Sequence, residues 1–213
     1  MVPPASSAKH PGARREARRR ALAEQLVGAV DELLGEGRGY QEVSVTEILD
    51  VAGVPRSTFY NVFPGKSELQ LAIAEQLLEE VFGPGRELLA SEESVSREQI
   101  AEAGVELGRR LEGRRHVCLA FLSGSTGHAH VAQQLDQLAE EARRQLQAQI
   151  EAHRDAGRMP AGIDPAATAA WLVAMFLNGA PQLLVAVGPA RRRRNAEAMA
   201  DIAWLALYGA RPA

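Results

Sequence analysis

Arg56 to Asn61, RSTFYN, puts a guanidinium, three hydroxyls and a carboxamide within six residues. A guanidinium offers a planar fork of donors, hydroxyls both donate and accept, and an amide does both at fixed geometry. Such groups suit recognition of hydrogen-bonding edges and anions better than bond breaking. His116, Cys118, His128 and His130 form a second set whose types could hold zinc or serve a Cys/His nucleophile. Their spacings match no standard zinc pattern. Cys118 lies in an apolar run and reads as a small core residue. There is no Gly-rich phosphate loop and no G-x-S-x-G. The sequence therefore predicts no metal, no cofactor and no catalytic set.

The segment that must position RSTFYN is Val43 to Lys66, VSVTEILDVAGVPRSTFYNVFPGK. Ser44 and Glu47 have the spacing of a capping box, which satisfies the free amides at a helix start. Ile48, Leu49 and Ala52 give that helix a buried side, and Gly53 permits a sharp turn. Val54 precedes a proline and is pushed out of the α region. Pro55 can open the next helix, where its missing N–H costs nothing. Phe59 and Phe63, four apart, share one face, leaving Arg56, Ser57, Tyr60 and Asn61 on the other. Two short helices crossing through a Gly turn are a helix-turn-helix, and the exposed face has the character that base edges and phosphates require.

AGVPRSTFYNVFPGKSEL resembles the signature of the TetR family of bacterial transcriptional regulators, and the likeness runs from about Leu22 to Leu77. The resemblance implies that Thr46 touches phosphate, that Arg56, Ser57 and Asn61 read bases, and that Thr58 and Tyr60 meet phosphate or base. It implies that Lys66, at a helix start, faces the DNA backbone. Pro55 stands where the family usually has a capping Ser, and Ser57 where Gly is common, which leaves the operator sequence open. The resemblance further implies a C-terminal half that encloses a small-molecule effector and forms a homodimer through the last two helices. Two reading heads would then sit about one DNA turn apart over a pseudo-palindrome.

The rest of the chain reads as helix. Stripes at helical spacing run through Leu22, Leu26 and Leu33, through Leu69 to Val81, and from Val131 to His153. Gly83-Pro84-Gly85 is expected to interrupt the second of these, and Gly124 to Gly127 to form a loop. The last helix is expected from Arg191, with Ala198, Ile202, Leu205 and Ala206 as its apolar side. No run alternates with period two. The fold class expected is all-α, of about nine helices. Residues 1–13 would form a disordered arm, 14–65 a three-helix DNA-binding head, and 66–213 a ligand-binding and dimerisation body.

Net charge is −3, yet residues 1–20 hold six basic and one acidic side chain. That asymmetry points to an anionic partner at the N-terminal end. One cysteine rules out an internal disulfide, so a cytoplasmic setting is expected. No stretch is expected to be long and apolar enough for a membrane. Ala166 to Val187 is apolar nearly all round, which predicts burial on most sides. Leu107, Leu111, Phe121, Leu122, Trp171, Met175, Phe176 and Asn178 are the candidate effector contacts, favouring a lipophilic or aromatic molecule. Asn178, an amide in an apolar helix, is expected to need a partner. Arg191 to Arg194 reads as a solvated loop or a set of partners for acidic surface. The function expected is a ligand-responsive regulator, a repressor released from a palindromic operator. The alternative is a helical carrier or enzyme for apolar molecules that does not bind an operator.

Overall fold

A computed structural model describes residues 11–91, 95–122 and 129–209. Among them there are nine α-helices and no strand. The helices are α1 (Pro11–Gly35), α2 (Val45–Ala52), α3 (Arg56–Tyr60), α4 (Lys66–Ala90), α5 (Arg97–Arg110), α6 (Arg115–Leu122), α7 (Ala129–Asp155), α8 (Pro165–Ala180) and α9 (Pro189–Tyr208). The expected arm at 1–10 and loop at 124–127 lie outside the described residues, while residues 11–13 are helical.

The capping signals act as their chemistry predicts. Ser44 accepts from the Glu47 amide and Glu47 accepts from the Ser44 amide at the start of α2. Gly53 ends α2 in the left-handed region at φ 64°, where a side chain would be strained. Asp164 caps α8, with Pro165 at its first position.

Four expectations are corrected by tertiary contact. First, α4 does not break at Gly83-Pro84-Gly85 but runs through Pro84 to Ala90. Pro84 removes one helical hydrogen bond, and α7 holds the segment beyond it. Gln149 Nε2 donates to the Arg86 carbonyl at 3.1 Å and His153 Nε2–H to the Leu89 carbonyl at 2.6 Å. Second, α8 is buried on one side only. It gives way at Pro181 to a π turn, Pro181–Val185, closed by the Ala186 amide on the Pro181 carbonyl. Pro165–Val185 does have the length and composition to cross a membrane. Here Leu172, Val173, Leu184 and Val185 are buried in the core while Trp171 is 79% exposed.

Third, α9 turns its alanines inward. Ala196, Ala200, Ala203 and Leu207 are buried, and the bulkier Ile202 and Leu205 are exposed. The reason is α5, which brings Gly104 and Gly108 against α9. A Cβ on Gly104 would meet Met199 at 2.8 Å, and one on Gly108 would meet the Leu184 carbonyl oxygen at 2.4 Å. Small faces let the two helix axes come close, so small residues win the interior.

Fourth, Arg191 to Arg194 is no loop: it forms the first turns of α9, as a last helix from Arg191 required, and two of its arginines pair with acidic side chains, the other expectation for this run. Arg192 is buried, donating to the carbonyls of Leu184 (2.7 Å) and Val187 (3.1 Å) and pairing with Glu112. It thereby closes the end of the π turn. Arg193 pairs with Glu102 at 2.7 Å.

One buried cluster runs from α1 through α2, α3 and α4 into α6 and on to Leu184 and Ala196. A second gathers Leu89, Ile150, Leu172 and Leu207. Asp31 of α1 is the polar rivet between the first helices and α6. Its carboxylate accepts from the His116 amide (2.8 Å), the Val117 amide (2.9 Å) and His116 Nδ1–H (3.0 Å). Arg114 adds ion pairs to Glu24 of α1 and Glu80 of α4. Cys118 is buried beside this junction, and burial pushes its thiol up to about 12.

Candidate functional site

The second helix of the turn, α3, is anchored from one side. Phe59 and Phe63 are fully buried, with ring centroids 5.5 Å apart. That anchoring leaves Arg56, Ser57, Tyr60 and Asn61 exposed together on the opposite side, Tyr60 at 57%. Thr58 is half-buried at the edge of that face. Pro55 cannot offer a side-chain cap, and its carbonyl receives the Thr58 and Phe59 amides instead. Arg56 Nη2 donates to Thr46 Oγ1 at 2.8 Å. The two helices thus meet across the face through a guanidinium and a hydroxyl.

Lys66 is engaged within the chain. Its ammonium donates to the carbonyls of Tyr40 (2.9 Å), Gln41 (3.1 Å) and Val43 (2.7 Å). An ammonium has three donors, so none is left for a phosphate in this arrangement. The Tyr40 ring lies under the charge at 5.0 Å, and partial burial moves the Lys66 pKa down. Lys66 therefore ties the start of α4 to the segment that enters α2. Sequence reading missed the tie because its partners lie more than twenty residues away. Arg38 adds to it, donating to the Glu42 carbonyl and pairing with Glu47 at 2.9 Å.

The eight candidate effector contacts fall into three places. Leu107 and Phe176 line an apolar cavity of about 90 Å3 among α4, α5, α7, α8 and α9. Leu111 and Phe121 are core residues, and Leu122 packs half-buried against that core. Trp171, Met175 and Asn178 belong to an outer groove of about 830 Å3 between α8 and α9, with Ile202 and Leu205. Asn178 needs no buried partner: it is exposed, and its amide donates one turn back to the Ala174 carbonyl at 2.8 Å. The cavity walls that sequence reading missed include Phe82, Leu88, Ile100 and Leu146. The signal available was Pro84 inside an apolar stripe, which lines the cavity itself. Among the described residues no group of His, Cys, Asp or Glu is placed to hold a metal.

Residues 31–73, the span from the end of α1 to the first turns of α4, match the family model described as bacterial regulatory proteins, tetR family. This span is similar to the DNA-binding part of TetR-family regulators. No curated protein matches it in sequence. Several solved structures share its fold at low identity. Salmonella enterica GusR superposes with a TM-score of 0.67 at 17% identity, covering 95% of this chain and 99% of that one. SmeT, the repressor of the Stenotrophomonas maltophilia multidrug efflux pump SmeDEF, gives 0.65 at 18%, covering 89% and 92%. FadR from Bacillus subtilis, in complex with stearoyl-CoA, gives 0.64 at 15%, covering 88% and 99%. The TetR family match is confined to the helix-turn-helix. The remaining helices share architecture with these proteins while their side chains differ.

Proposed function

We propose that this protein is a ligand-responsive, DNA-binding transcriptional regulator, a cytoplasmic repressor that leaves a pseudo-palindromic operator when a small lipophilic or aromatic effector binds. The observation that carries the reading is the α3 face. Arg56, Ser57, Tyr60 and Asn61 stand exposed on a five-residue helix whose other side is pinned by two buried phenylalanines. So short a helix has little reason to exist except to present that face. Thr46 and Thr58 complete the contact set. Residues 14–65 act as the head and 66–213 as the body, although α4 belongs physically to both.

The body supports the rest. The cavity between α4, α5, α7, α8 and α9 is walled almost wholly by apolar side chains, which favours an apolar effector. SmeT has been solved with triclosan and FadR with stearoyl-CoA, and both molecules carry large apolar parts. Trp171, Ile202 and Leu205 form an exposed apolar face on α8 and α9 of the kind a two-fold partner covers. A carrier or enzyme for apolar molecules would use the cavity but has no use for the α3 face.

The test is fluorescence anisotropy of the full chain on DNA upstream of its own gene, beside scrambled DNA, with Tyr60→Phe and Asn61→Ala. Specific binding weakened by both substitutions supports the regulator. Equal binding to both DNAs, unmoved by either substitution, sinks the reading of α3.

A further inference from the structure

Arg86 and Leu89 of α4 and Leu146 of α7 are among the residues that line the apolar cavity. At helical spacing the Leu146 face of α7 continues through Gln149 to His153. Both side chains tie that stretch of α4 to α7, Gln149 Nε2 through the Arg86 carbonyl and His153 Nε2–H through the Leu89 carbonyl. These two bonds use the donors. They fix the Gln149 amide with Oε1 left over, and they fix the His153 tautomer with Nδ1 as an acceptor. Gln149 Oε1 and His153 Nδ1 are buried and have no hydrogen-bond partner among the described residues, and His153 is only 3% exposed. A buried acceptor left unpaired is costly, and native proteins keep few. Here two stand one turn apart, each a hydrogen bond away from backbone that lines the cavity. Apolar walls with a few convergent polar groups are the layout of a small-molecule site.

We infer that Gln149 and His153 form the polar end of the effector site, and that the effector is an apolar molecule bearing a hydroxyl that donates to Gln149 Oε1 or His153 Nδ1. The inference rests on the reading of the cavity proposed above. A carboxylate or phosphate would set acceptors against acceptors. An ammonium would donate, but no carboxylate lines the cavity to balance its charge. A guest larger than the cavity of about 90 Å3 must widen it, and widening it along the α4–α7 seam uncovers both acceptors.

The test is titration calorimetry of the full chain with two probes of one shape, 4-propylphenol and 4-propyltoluene, which exchange a hydroxyl for a methyl. Wild type binds the phenol about five- to tenfold more tightly. The double variant Gln149→Met/His153→Phe removes both acceptors at similar volume. It closes that gap and leaves the affinity for 4-propyltoluene where it was. The nitrogen NMR signal of His153 Nδ1, identified by its loss in His153→Phe, moves with the phenol and stays put with 4-propyltoluene. Should the double variant fail to fold, the wild-type ratio and this signal still decide. A ratio near one in wild type, or a gap that survives the double variant, overturns the inference: the two acceptors then hold a trapped water only. If neither probe binds while the anisotropy assay still shows specific DNA binding, the reading of the cavity falls and this inference with it, and the reading of α3 stands.

Discussion

Tyr40 and Lys66 hold each other at both ends: the Lys66 ammonium donates to the Tyr40 carbonyl at 2.9 Å, and the Tyr40 hydroxyl donates to the Lys66 carbonyl at 3.0 Å. With Gln41 and Val43 the ammonium closes a clasp just ahead of the Ser44 cap. Phe121 of α6 sets its ring edge-on to Tyr40 at 4.9 Å, so the body leans on the clasp directly. The expected result for Lys66→Met is a loss of about 2 kcal/mol in urea unfolding, because carbonyls lose a charged donor. DNA affinity falls while its salt slope stays constant. A slope lowered by about 0.9 per protomer would instead assign Lys66 to phosphate.

The α5–α9 contact predicts opposite signs for two glycine substitutions. Gly108→Ala drives a Cβ to within 2.4 Å of a backbone carbonyl oxygen and should cost about 1–3 kcal/mol or more. Gly28, exposed in α1 with nothing within 4 Å of a Cβ, should gain about 0.5–1 kcal/mol as Ala. Chemical denaturation of both variants checks the pair, and similar effects at the two sites would contradict the packing described.

Asp31→Ala strips the α6 N-terminus of its acceptor and leaves two buried amides and a His116 ring N–H unpaired. The expected cost is about 2–4 kcal/mol. Amide hydrogen exchange should rise at His116 and Val117 before it rises in α2. Uniform exchange across the chain would mean the junction is no local rivet.

Glu47 is held down to about 2, first by its hydrogen bonds with Ser44 and then by Arg38. A lowered folded-state pKa stabilises above the ordinary carboxylate value and stops doing so as pH falls toward 2. The stability difference between wild type and Glu47→Gln should therefore be constant above about pH 5.5 and shrink steadily below about 4.5. A difference that grows in acid would contradict the capping box as the cause.

Trp171→Glu should turn the proposed dimer into a monomer in sedimentation velocity, since a charge would enter the exposed apolar face of α8 and α9. Trp171 and Trp204 are the only tryptophans, and Trp204 is already half-buried. A red shift of emission on dilution reports the same event. A Trp171→Glu variant that stays dimeric would move the interface elsewhere.

What could be read from the sequence was local chemistry. The Ser44–Glu47 box, the Gly53 turn and the Phe59–Phe63 pair each depend on residues within four positions, and each stands where its spacing requires. What could not be read depends on partners beyond the neighbouring turn of the chain. Lys66 looked free because its carbonyls belong to residues 40–43. Arg192 looked solvated because Leu184 and Val187 lie in a turn the pattern did not foretell. In α9 two stripes were available, and bulk favoured Ile202 and Leu205. Only the glycines of α5 make the alanine stripe the inner one.

The unbroken course of α4 has a mechanical consequence. Its 25 residues span about 37 Å, with the clasp at one tip and cavity wall near the other. A cavity of about 90 Å3 is well below the roughly 300 Å3 that small-molecule sites usually offer, so a guest must push its walls outward. A tilt of about 5° about Glu80 would sweep the Lys66 tip, about 21 Å away, through about 2 Å. On the function proposed above, α4 would act as a lever arm held at Glu80 by its ion pair with Arg114. On that reading the size of a guest, more than its polarity, would set the throw.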